Sequence, residues 1–311
     1  MDPPILKDPS PQKDGPRRRS LGRFILPRLA WWVGILTAGY LTVGGLMMWQ
    51  EESLIFFPSR FPEGDWHPPL SVEDAWFEAA DGVRLHGWFL AHPQARRVVL
   101  YCHGNAGNIT HRADILEDIH RYFDASVLVW DYRGYGRSEG RPTEQGILAD
   151  AEAARNWLVQ RTGWPADRLV LWGHSLGGAV AVHLAATTGA EALVLESTFP
   201  SLPDVAAYHY PRLPVRWLMR NRLDALGLIG QYQGPLFQSH GEADSIVPIE
   251  LGRKLFESAN PPKQFLPLPS TDHNDPLGPD YYQKVKEFFE VQTPHRTPRS
   301  PFGEQEFRVT F

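Results

Sequence analysis

Residues 169–178 read LVLWGHSLGG, and this stretch decides the fold. Its first four residues form an apolar run as short as a strand, whereas the apolar segment 175–188 is long enough for a helix. Between them lies the pattern G-x-S-x-G, with Gly173 and Gly177 on either side of Ser175. A side chain at either glycine would collide with the adjoining strand or helix, so the pattern predicts a sharp turn that exposes the serine.

The same alternation of short apolar runs and longer amphipathic segments continues on both sides of this turn. The apolar runs are 98–102, 127–130, 192–195, 235–238 and 264–268, and the other helical segments are about 108–123, 143–161 and 249–258. Strand–helix–strand repetition predicts an α/β fold, with a mostly parallel sheet and helices on both faces. Residues 75–79 and 83–90 flank an Asp81-Gly82 turn, which predicts an antiparallel hairpin at the sheet edge. Ligands of such sheets bind beyond the carboxyl ends of the strands.

Composition excludes several classes of protein. The chain has 311 residues, 42% of them hydrophobic, which is too apolar for long intrinsic disorder. Its formal net charge of −5 argues against nucleic acid as a partner, because binding to phosphates needs a basic face. Cys102 is the only cysteine, so the chain has no internal disulfide framework and no multi-cysteine zinc site. Nothing in the sequence implies a metal or an organic cofactor.

An uncharged apolar segment, residues 29–50, predicts a transmembrane helix. At about 1.5 Å per residue it is about 33 Å long, close to the roughly 30 Å hydrocarbon core of a bilayer. Trp31, Trp32 and Trp49 stand near its ends, where tryptophan favours the interface. The alternatives are a buried core helix and a cleaved signal peptide, although no small-x-small cleavage site follows.

Charge predicts the orientation of this helix. The N-terminal tail, residues 1–28, is basic, and Glu51 and Glu52 follow the span. The positive-inside rule then keeps the N-terminus cytoplasmic and sends the rest of the chain to the non-cytoplasmic side.

Four further segments complete the predicted organisation. A proline-containing linker covers 51–70, and one α/β domain covers 71–290. Within it, 199–233 interrupts the alternation, either as a short cap over the site or as ordinary surface helices packed on the sheet. The tail 291–311 has no periodicity and is expected to be mobile.

The chemistry begins at Ser175, which needs a base to become a nucleophile. The glycine-rich turn 101–108 follows an apolar run, and there an N–H can face the oxyanion that acyl transfer generates. We expect the backbone N–H groups of Asn105 and Leu176 to form this oxyanion hole. The alternative for the turn is a plain strand-to-helix connection.

An acid and a base are predicted in loops that close later strands. Asp244 is the preferred acid, with Glu242 and Glu196 as rivals, because a carboxylate can orient a histidine through its Nδ1–H. His273 follows the last strand and the acid, and the order Ser175, Asp244, His273 suits this architecture. Other histidines are interpreted as structural or packing residues, namely His103, His174, His183 and His240.

Residues 70–290 resemble the α/β-hydrolase superfamily. Four motifs resemble a narrower group, the single-span membrane-anchored serine hydrolases related to eukaryotic ABHD-type proteins. They are SLIFFPSR at 53–60, HGNAGN at 103–108, DYRGYGRSEG at 131–140 and GHSLGG at 173–178. The resemblance implies an α/β-hydrolase fold and the hydrolysis of esters or thioesters, often of acylated or lipid-like substrates.

The sequence therefore predicts a membrane-anchored serine hydrolase that takes a small-molecule or lipid acyl substrate. A serine peptidase of the same fold is an alternative, although 199–233 gives no sign of a peptide groove. A non-catalytic scaffold is a further alternative, against which the intact set of Ser175, Asp244 and His273 argues.

Overall fold

The computed structural model describes residues 22–293. Of the predicted basic tail, residues 1–21 lie outside this range, and so do residues 294–311 of the predicted C-terminal tail. The first element is helix α1, Gly22–Trp49. Its part Trp31–Trp49 is 19 residues long and apolar enough to cross a membrane, and most of its large apolar side chains are exposed. Such exposure is unlike a core helix and fits a membrane anchor or a signal sequence.

Ten strands follow in the part of the chain that the structure describes, most of them short and apolar. They are β1 Phe57–Pro58, β2 Glu73–Glu78, β3 Arg84–Leu90, β4 Arg97–Cys102, β5 Ala106–Gly107, β6 Ala125–Trp130, β7 Val170–His174, β8 Ala192–Glu196, β9 Leu236–Gly241 and β10 Lys263–Leu268. Eight form one sheet in the order β10-β9-β8-β7-β4-β6-β3-β2, while β1 pairs with β5. The six strands β4, β6, β7, β8, β9 and β10 are parallel to one another. Strands β2 and β3 form an antiparallel hairpin at the edge, and β3 pairs antiparallel with β6. The predicted fold class and the predicted hairpin are confirmed.

Within the described residues, nine α-helices follow α1. They are α2 Glu51–Ile55, α3 Ala113–Phe123, α4 Glu144–Thr162, α5 Leu176–Thr188, α6 Leu202–His209, α7 Val215–Leu218, α8 Ala225–Ile229, α9 Ile249–Glu257 and α10 Pro279–Gln292. The helix expected from about 108 starts as a 3₁₀ turn, Ile109–Arg112, before α3. Helix α10 was not predicted, although its apolar residues recur at helical spacing. Tyr281, Val285 and Phe289 are among its buried residues.

The sheet is covered on both faces, as its sequence pattern predicts. Along β4, Val98 and Leu100 belong to one apolar cluster while Val99 and Tyr101 belong to the other, because successive side chains of a strand point to opposite faces. Helices α4, α5 and α8 contribute to the first cluster, and α3 and α10 contribute to the second. Both faces are therefore dry, and the carboxyl ends of the parallel strands form the accessible edge.

The segment 51–70, expected to be a linker, carries structure of its own. It contains α2 and β1, and it buries Glu51, Ile55 and Phe56. The carboxylate of Glu51 accepts hydrogen bonds from the backbone N–H groups of Arg220 (2.9 Å) and Asn221 (2.8 Å). We call residues 51–60 the strap. Sequence patterning missed it because its partners are distant in the chain.

Beyond the strap, the segment 199–233 combines features of both expected arrangements. Helix α8 buries Ala225 and Ile229 in the core, as an ordinary packed helix does. Helices α6 and α7 and the chain between them leave Tyr208, Tyr210 and Trp217 exposed.

A buried charge cluster holds the loop after β6. The guanidinium of Arg133 donates to Asp150 Oδ1 (2.9 Å) and to Asp81 Oδ2 (2.7 Å), and its backbone N–H donates to Asp150 Oδ2 (2.7 Å). Burial raises the pKa of Asp150, and the hydrogen bonds from Arg133 oppose that rise. The carboxylate of Asp150 therefore depends on its arginine.

Replacing Arg133 by alanine leaves a buried carboxylate unpaired, and we expect the free energy of unfolding to fall by about 3–5 kcal/mol. The matched control is Arg161→Ala, which removes an ion pair with Glu73 whose side chains are 45% and 46% exposed. That control should cost less than about 1 kcal/mol in a denaturant titration. Equal losses in the two variants would contradict the role given to the buried pair.

Candidate active site

Ser175 lies at the turn between β7 and α5, and its backbone is strained. Its φ of 53° and ψ of −118° lie in a region that residues with a side chain rarely adopt. A Cβ on Gly177 would overlap the carbonyl of Cys102, and one on Gly173 would overlap the backbone of Gly177. The two glycines therefore let α5 start directly against the carboxyl ends of the strands, and the turn directs the serine hydroxyl outward from them.

Two loops from later strands bring a histidine and an acid to this serine. Ser175 Oγ lies 2.9 Å from His273 Nε2, and His273 Nδ1 lies 2.8 Å from Asp244 Oδ2. An ionised carboxylate only accepts, so Nδ1 carries the proton and Nε2 is free to accept from the hydroxyl. The sequence separations are 98 and 29 residues, and the sheet brings the three side chains into one hydrogen-bonded chain.

Asp244 is held as an ionised acceptor. Its Oδ1 accepts from the backbone N–H groups of Ile246 (3.0 Å) and Val247 (2.7 Å). Burial on its own would raise the pKa of Asp244, but hydrogen bonds from His240 and His273 outweigh that effect and hold the pKa well below its usual range. A carboxylate of this kind stays negative and can stabilise a histidinium.

The rival acids of the sequence analysis lie elsewhere. Glu196 accepts hydrogen bonds from Trp172 Nε1 (2.8 Å) and Tyr281 Oη (2.6 Å), and burial raises its pKa to about 7. Glu242 is exposed. Neither carboxylate has a hydrogen bond to His273 within residues 22–293, so Asp244 is the acid that reaches the histidine.

Two histidines interpreted as packing residues take part in hydrogen bonds around the site. His174 Nε2–H donates to the carbonyl of His273 (3.0 Å), and burial, with a further contribution from His273, lowers the pKa of His174 to about 3. His240 Nε2–H donates to Val247 O (2.7 Å) and lies 3.3 Å from Asp244 Oδ2. The interpretation of both histidines as packing residues is therefore incomplete. In the sequence, only the nearness of His174 to Ser175 and of His240 to Asp244 could have indicated a role in positioning the site.

The expected oxyanion donors follow β4 and begin α5. Gly104 packs against the serine, since a Cβ built on it would lie 3.6 Å from Ser175 Cβ. Asn105 is the next residue, and Leu176 is the first residue of α5. Across residues 22–293, the N–H groups of Asn105 and Leu176 donate no hydrogen bond. They remain available to a ligand.

The strap fixes the peptide orientation at Asn105. The side-chain amide of Asn105 donates to Ile55 O (2.9 Å), and its carbonyl accepts from Phe57 N (3.0 Å) and Tyr135 Oη (2.8 Å). Three bonds to one residue leave its backbone little freedom to rotate. The segment that follows α1 thus supports the turn opposite the serine.

Two residues of the same turn have structural surroundings. His103 is fully buried against Tyr132 and Tyr135, its Nδ1–H donates to Gly104 O (2.7 Å), and burial lowers its pKa to about 3. Cys102 is a buried free thiol whose pKa is raised by burial, as an inert packing residue should be.

A cavity of about 230 Å³ borders the His273 loop. Its lining combines polar side chains, among them His174, Glu196 and His273, with apolar ones such as Ile115 and Leu268. Among the described residues, no group of three or more His, Cys, Asp and Glu side chains is arranged to hold a metal ion.

Comparison with known proteins identifies the family of the chain. The family described as "alpha/beta hydrolase fold" matches residues 97–227. An uncharacterized protein of Mycobacterium tuberculosis (strain H37Rv) is 40% identical, over 76% of this chain and 86% of that protein. The alpha/beta hydrolase domain-containing protein WAV2 of Arabidopsis thaliana is 32% identical, over 85% of this chain and 94% of its own length.

Solved structures agree at the level of the fold. The esterase Pf2001 of Pyrococcus furiosus superposes with a TM-score of 0.63 at 20% identity, over 76% of this chain and 97% of that chain. Because identities this low carry the fold alone, the family rests on the relatives above, and on their evidence the chain belongs to the α/β-hydrolase family.

Proposed function

We propose that the protein is a membrane-anchored serine hydrolase that cleaves carboxylic esters or thioesters of acyl or lipid-like substrates. The observation that carries the proposal is the hydrogen-bonded chain from Ser175 Oγ through the imidazole of His273 to Asp244. The same fold carries this chemistry in two solved structures, since the Pyrococcus furiosus neighbour is an esterase and a Paleococcus ferrophilus neighbour, 20% identical with a TM-score of 0.53, is a monoacylglycerol lipase.

In the proposed reaction, Ser175 Oγ attacks the acyl carbonyl while His273 Nε2 takes the hydroxyl proton. Asp244 stabilises the histidinium through Nδ1–H, and the N–H groups of Leu176 and Asn105 bind the oxyanion. The tetrahedral intermediate collapses when His273 returns the proton to the leaving alcohol or thiol. Water then attacks the acyl-enzyme with His273 as base, and the acid and free serine are released.

Ser175→Ala should abolish turnover of a short acyl ester, with a loss of about 10⁶-fold in kcat, while the protein stays folded. Mass spectrometry after treatment with a fluorophosphonate tests the same claim directly. Wild type should gain one adduct at Ser175, and His273→Ala should lose it because the serine then has no base. An adduct of undiminished yield in His273→Ala, or full activity in Ser175→Ala, would overturn the assignment.

Asp244→Asn should lower kcat by about 10⁴-fold, because an asparagine favours the wrong imidazole tautomer. The matched control is Glu196→Gln, which keeps an acceptor for Trp172 and Tyr281 and should leave kcat within a few-fold of wild type. Steady-state kinetics of both variants on one ester separates the two acids. A larger loss in Glu196→Gln would transfer the role to Glu196.

The proposed anchor is residues 29–50, with the N-terminus cytoplasmic and the catalytic domain on the non-cytoplasmic side. The apolar helix Trp31–Trp49 supports spanning, and the basic residues before it support this orientation.

Full-length protein should therefore stay in the membrane pellet after extraction with carbonate at high pH. In sealed vesicles of known orientation, protease should reach residues beyond 50 only from the non-cytoplasmic face. Release into the supernatant would contradict the anchor, whereas digestion from the cytoplasmic face would contradict only the orientation.

A further inference from the structure

The cap insert, residues 199–233, carries aromatic side chains that are exposed and do not belong to the core. Trp217 is 90% exposed, Tyr208 is 59% exposed and Tyr210 is 49% exposed. Soluble proteins bury most of the surface of their tryptophans, so a cluster of exposed aromatic residues marks an interaction surface. Tryptophan and tyrosine are also the residues that favour the interface between membrane and water.

The charge of the same segment differs from that of the whole chain. Residues 210–223 carry arginines and no aspartate or glutamate, in a chain whose net charge is −5. Arg216 pairs with Asp204, and Arg220 pairs with Glu51, but the side chains of Arg216 and Arg220 remain 57% and 62% exposed. Arginine and aromatic side chains on one surface segment are typical of protein that lies at an anionic lipid surface.

The cap is fastened to the chain that leaves helix α1. Arg220 Nη2 donates to the carbonyl of Met48 (3.1 Å), a residue inside the apolar stretch Trp31–Trp49. Two backbone N–H groups of the cap, those of Arg220 and Asn221, bind the buried carboxylate of Glu51. Burial on its own would raise the pKa of Glu51, but these hydrogen bonds outweigh it and lower the pKa, so the carboxylate stays charged. We call this pairing of Glu51 with Arg220 the clamp.

These contacts limit how far the aromatic residues can lie from the end of the span. Trp217 precedes Arg220 by three residues, which reach at most about 11 Å when fully extended. Exposed apolar side chains also lie at the end of α1, at Trp49, and in the strap, at Leu54 and Phe57.

The cap also adjoins the acid loop of the site. His209, the last residue of α6, donates from Nε2 to the carbonyl of Ile246 (2.8 Å), two residues after Asp244. Ile246 itself is exposed. Tyr208 and Tyr210, the chain neighbours of His209, therefore lie near the loop that holds Asp244.

Resting on the membrane anchoring proposed above, we propose that Tyr208, Tyr210 and Trp217 form a second membrane contact. This surface lies in the headgroup region of the bilayer that holds α1, and its partner is the lipid surface itself. The anchor supplies attachment, and the clamp at Glu51 and Arg220 holds the cap against the membrane beside the active site.

The experiment uses full-length protein reconstituted into phosphatidylcholine–phosphatidylglycerol vesicles that contain a lipid spin-labelled near the headgroup. Trp217→Cys is labelled with an environment-sensitive dye, since Cys102 is fully buried and stays unlabelled. The control is Gln94→Cys, at an exposed turn before β4 and thus at the edge of the sheet opposite the site. Trp49→Cys reports on the anchor, and Tyr208→Cys is a second position in the cap.

We expect the spin-labelled lipid to quench the dye at positions 217 and 208 about twofold, because interfacial segments lie about 5–10 Å into the headgroup boundary. The dye at position 94 should keep its fluorescence. Quenching at 49 without quenching at 217 and 208 would overturn the second contact and leave the anchor intact. Absence of quenching at all positions would overturn the anchor as well, and equal quenching at 94 would show that the cap is not the contacting surface.

Discussion

The rest of the structure depends on the contact between the first turn of α5 and the end of β4. The backbone of Gly177 packs against the Cys102 carbonyl so closely that no Cβ fits between them. This approach forces Ser175 to a φ of 53° and presents its hydroxyl beyond the strands. Such strain costs about 1–3 kcal/mol, which the dry packing of α5 against the sheet offsets. The packing of the core thus offsets the strain of the turn, and the backbone places the Ser175 hydroxyl.

Around this turn the fold controls charge by burial and hydrogen bonding. Asp244 lies among donors that keep it ionised, whereas Glu196 lies where burial raises its pKa to about 7. His174 is kept neutral by burial while its Nε2–H holds the backbone of His273. One negative charge therefore faces the imidazole of His273, and the neighbouring groups position it without competing for its proton.

Hydrogen bonds tie the strap both to the turn opposite the serine and to the cap. Phe57 and Ile55 hold Asn105 on one side, and Glu51 holds the cap at Arg220 and Asn221 on the other. Asn221 also accepts from the backbone of Glu144 at the start of α4 (3.2 Å). The chain that follows α1 is therefore part of the domain, and it supports both the turn opposite the serine and the cap.

The sequence by itself determined the fold class and made Ser175, Asp244 and His273 candidate site residues. It could do so because strand and helix periodicity and the G-x-S-x-G turn are local properties. The apolar helix was equally legible, since its length and lack of charge need no partner. Tertiary structure alone shows that Asp244, which follows β9, is hydrogen-bonded to His273, whereas Glu196, at the end of the adjacent β8, is bonded to Trp172 and Tyr281. It alone showed that residues 51–60 of the expected linker form the strap, and it gave His174 and His240 their hydrogen bonds. These features rest on pairings between residues far apart in the chain, and no local pattern encodes which distant donor will meet a given acceptor.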